Sequence, residues 1–236
     1  MNNRVFIGHT SYQDILFKVA KYSFQKLSSN LECFPIKQDY LRELGVYNRP
    51  QDKLGTTEFS LTRFLTPWLA GYKGWALFTD NDVLALEDIN KLFDLADNKY
   101  AVLCAKHQHQ PSDQTKLDNQ IQTIYPRKNW SSVVLWNCEH EKNLKLTPEY
   151  VNKATPMELH RFLWLDDEDI GEFSHEWNWL VDWYKEPKDG SPKLLHYTEG
   201  GPYFKSYRDC DFAENWLQIY KEYTGQEFKE KDIIDL

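Results

Sequence analysis

Asp80 and Asp82 stand on either side of Asn81, at the end of the apolar run Trp75-Ala76-Leu77-Phe78-Thr79. Such a run reads as a buried strand, and it delivers two like charges to one place. The charges repel unless something positive lies between them, and a divalent cation is the simplest partner for carboxylate oxygens. Asp80 and Asp82 therefore read as ligands of a metal that in turn holds a phosphate-bearing donor. Two other readings stay open on these residues alone. One is a solvated turn, which Asp and Asn favour; the other is a phosphatase in which Asp80 is the nucleophile. An EF-hand is excluded: counting from Asp80, the places that need oxygen, glycine and glutamate hold Leu84, Ala85 and Lys91.

The second feature is His196-Tyr197-Thr198-Glu199-Gly200-Gly201. A histidine beside a glycine turn is commonly a satisfied core residue. As a functional group, His196 could complete a metal site, and Gly200 and Gly201 could let backbone N–H groups approach a pyrophosphate. Lys205 and Arg208 follow closely and could neutralise phosphate charge.

Such groups need a scaffold, and the chain of 236 residues is long enough for one large domain with a real core. A net charge of -8 without a basic stripe argues against nucleic acid as the main partner. No apolar run reaches bilayer length and the first residues do not read as a signal peptide, so no integral membrane segment is expected. The four cysteines, 33, 104, 138 and 210, form no CxxC pair, which points to reduced, mostly buried thiols and a cytoplasmic protein. Aromatic residues reach 15%, with nine tryptophans, a level that suits sugar-binding faces but also ordinary cores.

Periodicity places the elements. Residues 4–8 read as a first strand, 11–28 as an amphipathic helix with Ser11 as N-cap and Asp14 in a capping-box position, and 31–36 as a parallel second strand. Residues 45–57 and 107–119 read as loops, the latter as a mobile or functional one. A helical pattern over 58–71 is expected to be interrupted or kinked by Pro67. Further strands are expected at 100–105, 130–136 and 193–197. Helices are expected over 88–96, from Thr147, from Thr155, and over 209–223 with Gly225 beyond the last. The pattern is one α/β domain with a mixed sheet.

In order and spacing, these stretches resemble the GT-A-fold glycosyltransferases of the glycogenin and lipopolysaccharide-galactosyltransferase type, glycosyltransferase family 8. The family's first strand and nucleotide loop have their counterpart in Val5 to Thr10, and its arginine helix in Glu58 to Pro67 with Arg63. Its DxD segment matches Phe78 to Leu92 and its serine-bearing strand matches Trp130 to Leu135. The stretch Ile170 to Asn178 corresponds to the family's approach to a Trp/Tyr-Asn pair, and His196 to Gly201 closes the series.

The resemblance implies a GT-A (nucleotide-diphospho-sugar transferase) fold with a mixed central sheet flanked by helices. It covers residues 1–236 as a single domain, with a nucleotide-binding half at about 1–106 and an acceptor and metal-completing half at about 107–236. It also implies a metal-dependent, retaining transfer of a hexose from a nucleotide sugar, UDP-hexose by preference, to a hydroxyl acceptor. Asp80, Asp82 and His196 would bind Mn2+ or Mg2+. Gly8, His9 and Thr10 would line base and ribose, Arg63 and Asn81 would lie near the donor, and Ser131 and Ser132 would face its sugar. Gly200 and Gly201 would take the diphosphate, with Lys205 in place of a family lysine that sits a few residues earlier. The family's Asp-Gln element has no clear match, which leaves the catalytic residues unassigned, and the acidic run Asp166 to Asp169 reads as a solvated turn. A haloacid-dehalogenase-type phosphatase and an inactive nucleotide-sugar-binding module are the alternatives.

Overall fold

The computed structural model describes residues 2–50, 57–107, 127 and 130–234. Strand β1 (Asn3–His9) is followed by helix α1 (Asp14–Leu27), strand β2 (Leu31–Lys37) and helix α2 (Gln38–Glu43). Helix α3 (Thr66–Leu69), strands β3 (Trp75–Thr79) and β4 (Val83–Ala85), helix α4 (Asn90–Phe93) and strands β5 (Val102–Cys104) and β6 (Val133–Asn137) come next. Helices α5 (Pro148–Lys153) and α6 (Pro156–His160), strands β7 (Ile170–Glu172), β8 (Trp179–Leu180) and β9 (Leu194–His196) and helix α7 (Ala213–Thr224) complete the series.

Six strands form a mixed sheet in the order β2-β1-β3-β6-β5-β7, and β4-β9-β8 form a second, smaller sheet. β1 runs parallel to both β2 and β3, β6 runs antiparallel to β3 and β5, and β7 runs parallel to β5. The α/β class with a mixed central sheet, expected from sequence, is therefore observed. Pro35 lies in β2, the edge strand, where its missing N–H costs no ladder bond.

The central strands carry buried apolar runs (5–7, 76–78, 102–104 and 133–136) because both faces are covered. Val5, Ile7, Leu77, Val133 and Leu135 join one core with Phe17, Ala20 and Phe24 of α1. Phe6, Ala76, Phe78, Val134 and Trp136 point the other way, into a core with Phe59, Phe64 and Phe162. A third cluster lies between the small sheet (Leu84, Trp179, Leu195) and α1 and α7, which contribute Leu16, Val19, Trp216 and Tyr220. Most of the aromatic excess is core: Trp136 stacks on Trp164 at 6.3 Å, and Trp216 on Tyr220 at 5.5 Å.

Several local expectations are corrected. Ser11 does not cap α1: its backbone N–H and hydroxyl both donate to Glu58, and a 3-10 turn over Ser11–Gln13 precedes the helix. Pro67 does not kink a long helix either. It sits in the first turn of the short α3, where proline is tolerated, after a 3-10 turn at Thr62–Leu65. Thr147 and Thr155 do cap α5 and α6, the latter with a capping box to Glu158. All four cysteines are free, and Cys33, Cys104 and Cys138 are buried. Residues 51–56 and 108–119 of the two expected loops lie outside the described residues. Among the described residues no helix is long and apolar enough to cross a membrane.

Candidate metal and donor site

The carboxyl ends of parallel strands are where open α/β sheets place ligands, and β3 ends at Thr79 with Asp80 next. The Asp80 N–H donates to the Ser132 carbonyl at 2.9 Å, which continues the ladder between β3 and β6 by one rung. Asn81 then turns the chain into β4, so Asp82 leads into the small sheet. There the antiparallel pairing of β4 with β9 sets Val83 opposite His196, and the Tyr197 N–H donates to the Asp82 carbonyl at 2.9 Å. Strand register therefore joins His196 to the two aspartates. Its Nε2 lies 3.4 Å from Asp82 Oδ1 and 4.0 Å from Asp80 Oδ2. Among the described residues these three form a group whose ligand atoms all lie within 4.8 Å of one another.

Charge in the cluster is uneven. Arg63 Nη1 lies 2.7 Å from Asp80 Oδ1 and also donates to the Ser131 carbonyl at 3.0 Å, while Nε donates to the Ser60 carbonyl at 3.0 Å. The guanidinium rests against the rings of Phe59 and Phe78, 5.2 and 5.1 Å from their centres. Burial raises the Asp80 pKa and the neighbouring Asp82 charge adds to this; Arg63 and His196 oppose it, and the balance is about 6. Burial pulls His196 down, but Asp82 and then Asp80 outweigh it and the net shift is upward. Asp82 Oδ1 is buried without a hydrogen-bond partner among the described residues. Two carboxylates and one imidazole, with a single arginine to balance them, fit a hard divalent cation such as Mn2+ or Mg2+.

Some of the expected donor residues, Arg63 and Ser132 among them, touch this cluster, and most of the set is engaged within the protein. A cavity of about 390 Å³ opens at the ends of β1 and β2, lined by His9, Ser11, Asp14, Lys37, Gln38 and Glu58 among others. His9 Nε2 pairs with Asp14 Oδ1 at 2.9 Å, and the buried Thr10 Oγ1 has no hydrogen-bond partner among the described residues. Gly8 is glycine for packing: a Cβ there would lie 2.5 Å from the Phe59 ring. Ser131 Oγ bonds His160 Nδ1 at 2.9 Å, and Ser132 Oγ accepts from Asn178 Nδ2 at 3.0 Å. Asn81 is buried and its Nδ2 has no partner among the described residues. Gly200, at φ +144°, and Gly201 leave room for the rings of Tyr207 and Tyr203, which a Cβ would approach to 2.6 and 2.4 Å. Lys205 is exposed, whereas Arg208 is held by the Pro202 carbonyl at 3.1 Å and lies over Phe228.

The acidic run lies elsewhere. β7 runs the same way as β3, so Asp166 to Asp169, which precede it, sit at the opposite edge of the sheet from Asp80. Lys142 bridges Asp166 and Asp169 at 2.8 and 2.7 Å, and Arg127 pairs with Asp167. The run is a turn whose Asp166, Asp167 and Glu168 are exposed, as expected, while Asp169 is buried.

Sequence reasoning overlooked His160. It ends the short α6, packs edge-on against Phe64 at 5.2 Å, and faces both Ser131 and Arg63. Burial and then the Arg63 charge hold its pKa down at about 3, so the ring is neutral. Asn178 was visible only as half of a Trp-Asn pair. Its side chain in fact touches His196, with Nδ1 of the ring 2.9 Å from Oδ1 of the amide.

Comparison with known proteins agrees with this geometry. No protein-family model matches the chain. Among solved structures it is similar to the galactosyltransferase LgtC in complex with donor and acceptor sugar analogs. The TM-score is 0.59 at 13% identity, over 97% of this chain and 98% of that one. It is also similar to the bifunctional glycosyltransferase WbbM, with TM-score 0.63 at 12% identity over 97% of this chain and 52% of that one. For the glycosyltransferase GlyE of Streptococcus pneumoniae TIGR4 the TM-score is 0.57 at 14% identity, over 93% of this chain and 60% of that one. The chain thus spans little more than half the length of these last two. These likenesses show the fold, which is the GT-A type seen in glycosyltransferases such as LgtC. The chain belongs to the family of Protein CDI of Arabidopsis thaliana, with which it is 47% identical over 234 residues, 97% of this chain and 90% of that protein.

Proposed function

We propose that the chain is a metal-dependent glycosyltransferase that moves a hexose from a nucleotide-diphosphate sugar, UDP-hexose by preference, to a hydroxyl acceptor with retention of configuration. The observation that carries this reading is the convergence of Asp80, Asp82 and His196 at the carboxyl end of β3, in a GT-A-type fold.

Asp80, Asp82 and His196 would hold Mn2+ or Mg2+, which when bound supplies charge neutralisation for a departing nucleoside diphosphate. The remaining work belongs to the chain. The cavity beside Gly8, His9 and Thr10 receives base and ribose. Arg63 holds Asp80 in place from behind and keeps a positive charge under the donor. Asn81, Ser131 and Ser132 offer polar groups toward the donor sugar, and Gly200 and Gly201 offer backbone. Lys205, exposed and without an ion pair among the described residues, is free to swing onto the diphosphate. Retention follows the family resemblance, in which the departing diphosphate would accept the acceptor's proton on the same face. The chain is read as one such unit over residues 1–236, with its nucleotide half at about 1–106.

The phosphatase alternative needs a free Asp80 carboxylate as nucleophile, and one oxygen of that carboxylate is already bound by Arg63. The test is a screen of nucleotide sugars with and without Mn2+ for thermal stabilisation, followed by a transfer assay on the donor that stabilises most. We expect metal-dependent stabilisation by a UDP-sugar, and loss of transfer in Asp82→Ala. Transfer and manganese dependence that survive Asp82→Ala would sink the reading, and an aspartyl-phosphate at Asp80 would replace it with the phosphatase.

A further inference from the structure

A histidine can serve a metal only through a nitrogen that carries a lone pair, so the proton on the other ring nitrogen has to be placed by something. In this chain the two ring nitrogens of His196 face different surroundings. Nε2 looks at Asp82 and Asp80, and Nδ1 lies 2.9 Å from the amide oxygen of Asn178. An amide oxygen only accepts, so it fixes the proton on Nδ1 and leaves the Nε2 lone pair toward the carboxylates. The amide is held from its other end, where Nδ2 donates to Ser132 Oγ at 3.0 Å. Asn178, Ser132 and His196 are all buried, at 0%, 5% and 3% exposure, so water does not compete for these bonds.

Ser132 has a second part in the arrangement. Its backbone carbonyl accepts the Asp80 N–H at 2.9 Å. Ser132, the residue just before β6, thus ties to the large-sheet ligand through its main chain and to the small-sheet ligand through its hydroxyl and Asn178. From this the geometry assigns Asn178, buttressed by Ser132, as the positioning residue that fixes His196 in the Nδ1–H form and presents Nε2 to a divalent cation. The assignment rests on the reading of Asp80, Asp82 and His196 as a cation site, and it goes beyond that reading by naming what makes the site ready before the ion arrives.

The experiment compares wild type with Asn178→Ala, Asn178→Asp and Ser132→Ala. Mn2+ affinity is measured by the free-ion electron paramagnetic resonance signal. The His196 tautomer is read by ring 15N chemical shifts, in the metal-free protein at alkaline pH and with diamagnetic Mg2+. We expect Nδ1 to carry the proton in wild type. Asn178→Ala should weaken Mn2+ binding by about 10- to 100-fold, as loss of an outer partner of a ligating histidine does. Asn178→Asp, whose carboxylate still accepts from Nδ1, should keep both the tautomer and the affinity, and it remains informative if the alanine variant does not fold. Ser132→Ala should fall between.

A wild-type ring protonated on Nε2 would overturn the assignment, as would a folded Asn178→Ala that binds Mn2+ within about twofold of wild type. The two readings fail separately. A wild type that binds no Mn2+ defeats the cation site, while the tautomer, and its change in Asn178→Ala, still decides what Asn178 does to His196.

Discussion

Asp80 serves two neighbours at once. One oxygen is clamped by Arg63 and the other faces His196. Removing the arginine leaves a buried carboxylate pair with no fixed cation. We expect Arg63→Met to lower stability by about 3–5 kcal/mol in urea unfolding, as breaking a buried pair from one side does. The loss should shrink in saturating Mn2+, and an equal loss with and without the ion would argue against a cation at this place. His160 makes a second case. Its pKa is about 3 in the folded chain, against 6.5 for an ordinary histidine. The unfolded chain therefore takes up a proton that the folded one refuses. Stability from this group is fully present above the ordinary value and is lost as pH falls toward 3. At pH 5 the loss is about 2 kcal/mol, and His160→Gln should flatten the denaturation profile between pH 7 and 5. The aspartates and His196 were legible in the sequence through their order and spacing within a family resemblance, since the residues alone left other readings open. His160 was not, because it meets Ser131 and Arg63 only through folding and ends a short helix like many other histidines.

At the scale of elements, the segment after β2 matters most, since Phe59 and Arg63 both come from it and Phe59 fills the space that Gly8 leaves. Adding a methyl at Gly8 forces that ring outward and Arg63 with it. We expect Gly8→Ala to cost about 1–3 kcal/mol, visible as a fall of about 2–4 °C in Tm per kcal/mol for a chain of this size. Phe59→Leu in the same chain should recover part of the loss, and no fall in Tm would show that the ring has room to move. Six of the strands and both long helices could be anticipated, since α1 and α7 repeat apolar residues at helical spacing and β1, β3 and β6 each carry a continuous apolar run. The small sheet could not. Val83 to Ala85 and Trp179 to Leu180 are too short to show a period, and each becomes a strand only because Leu194 to His196 lies beside it. Ser11 and Pro67 misled for a related reason: Glu58 captured the cap, and the proline began a helix rather than bending one.

For the molecule as a whole, binding of an ion to the folded state alone is a stability term. At an ion concentration about 100 times the dissociation constant it adds about 2.7 kcal/mol, or roughly 5–10 °C in Tm at this chain length. Chelation by EDTA should remove that increment from wild type and leave Asp82→Ala unmoved; equal responses in the two proteins would deny the site. The two-sheet construction has a further consequence, for how the chain is made. Asp80 and Asp82 leave the ribosome well before His196 and the strand that carries it, which follow Asp82 by roughly 6–20 s at about 5–20 residues per second. During that interval the nascent chain holds the aspartates and Arg63 but neither the imidazole nor the strand pairing that would bring it to them. Capture of the ion therefore waits on synthesis past His196, and marks a chain whose second sheet has closed.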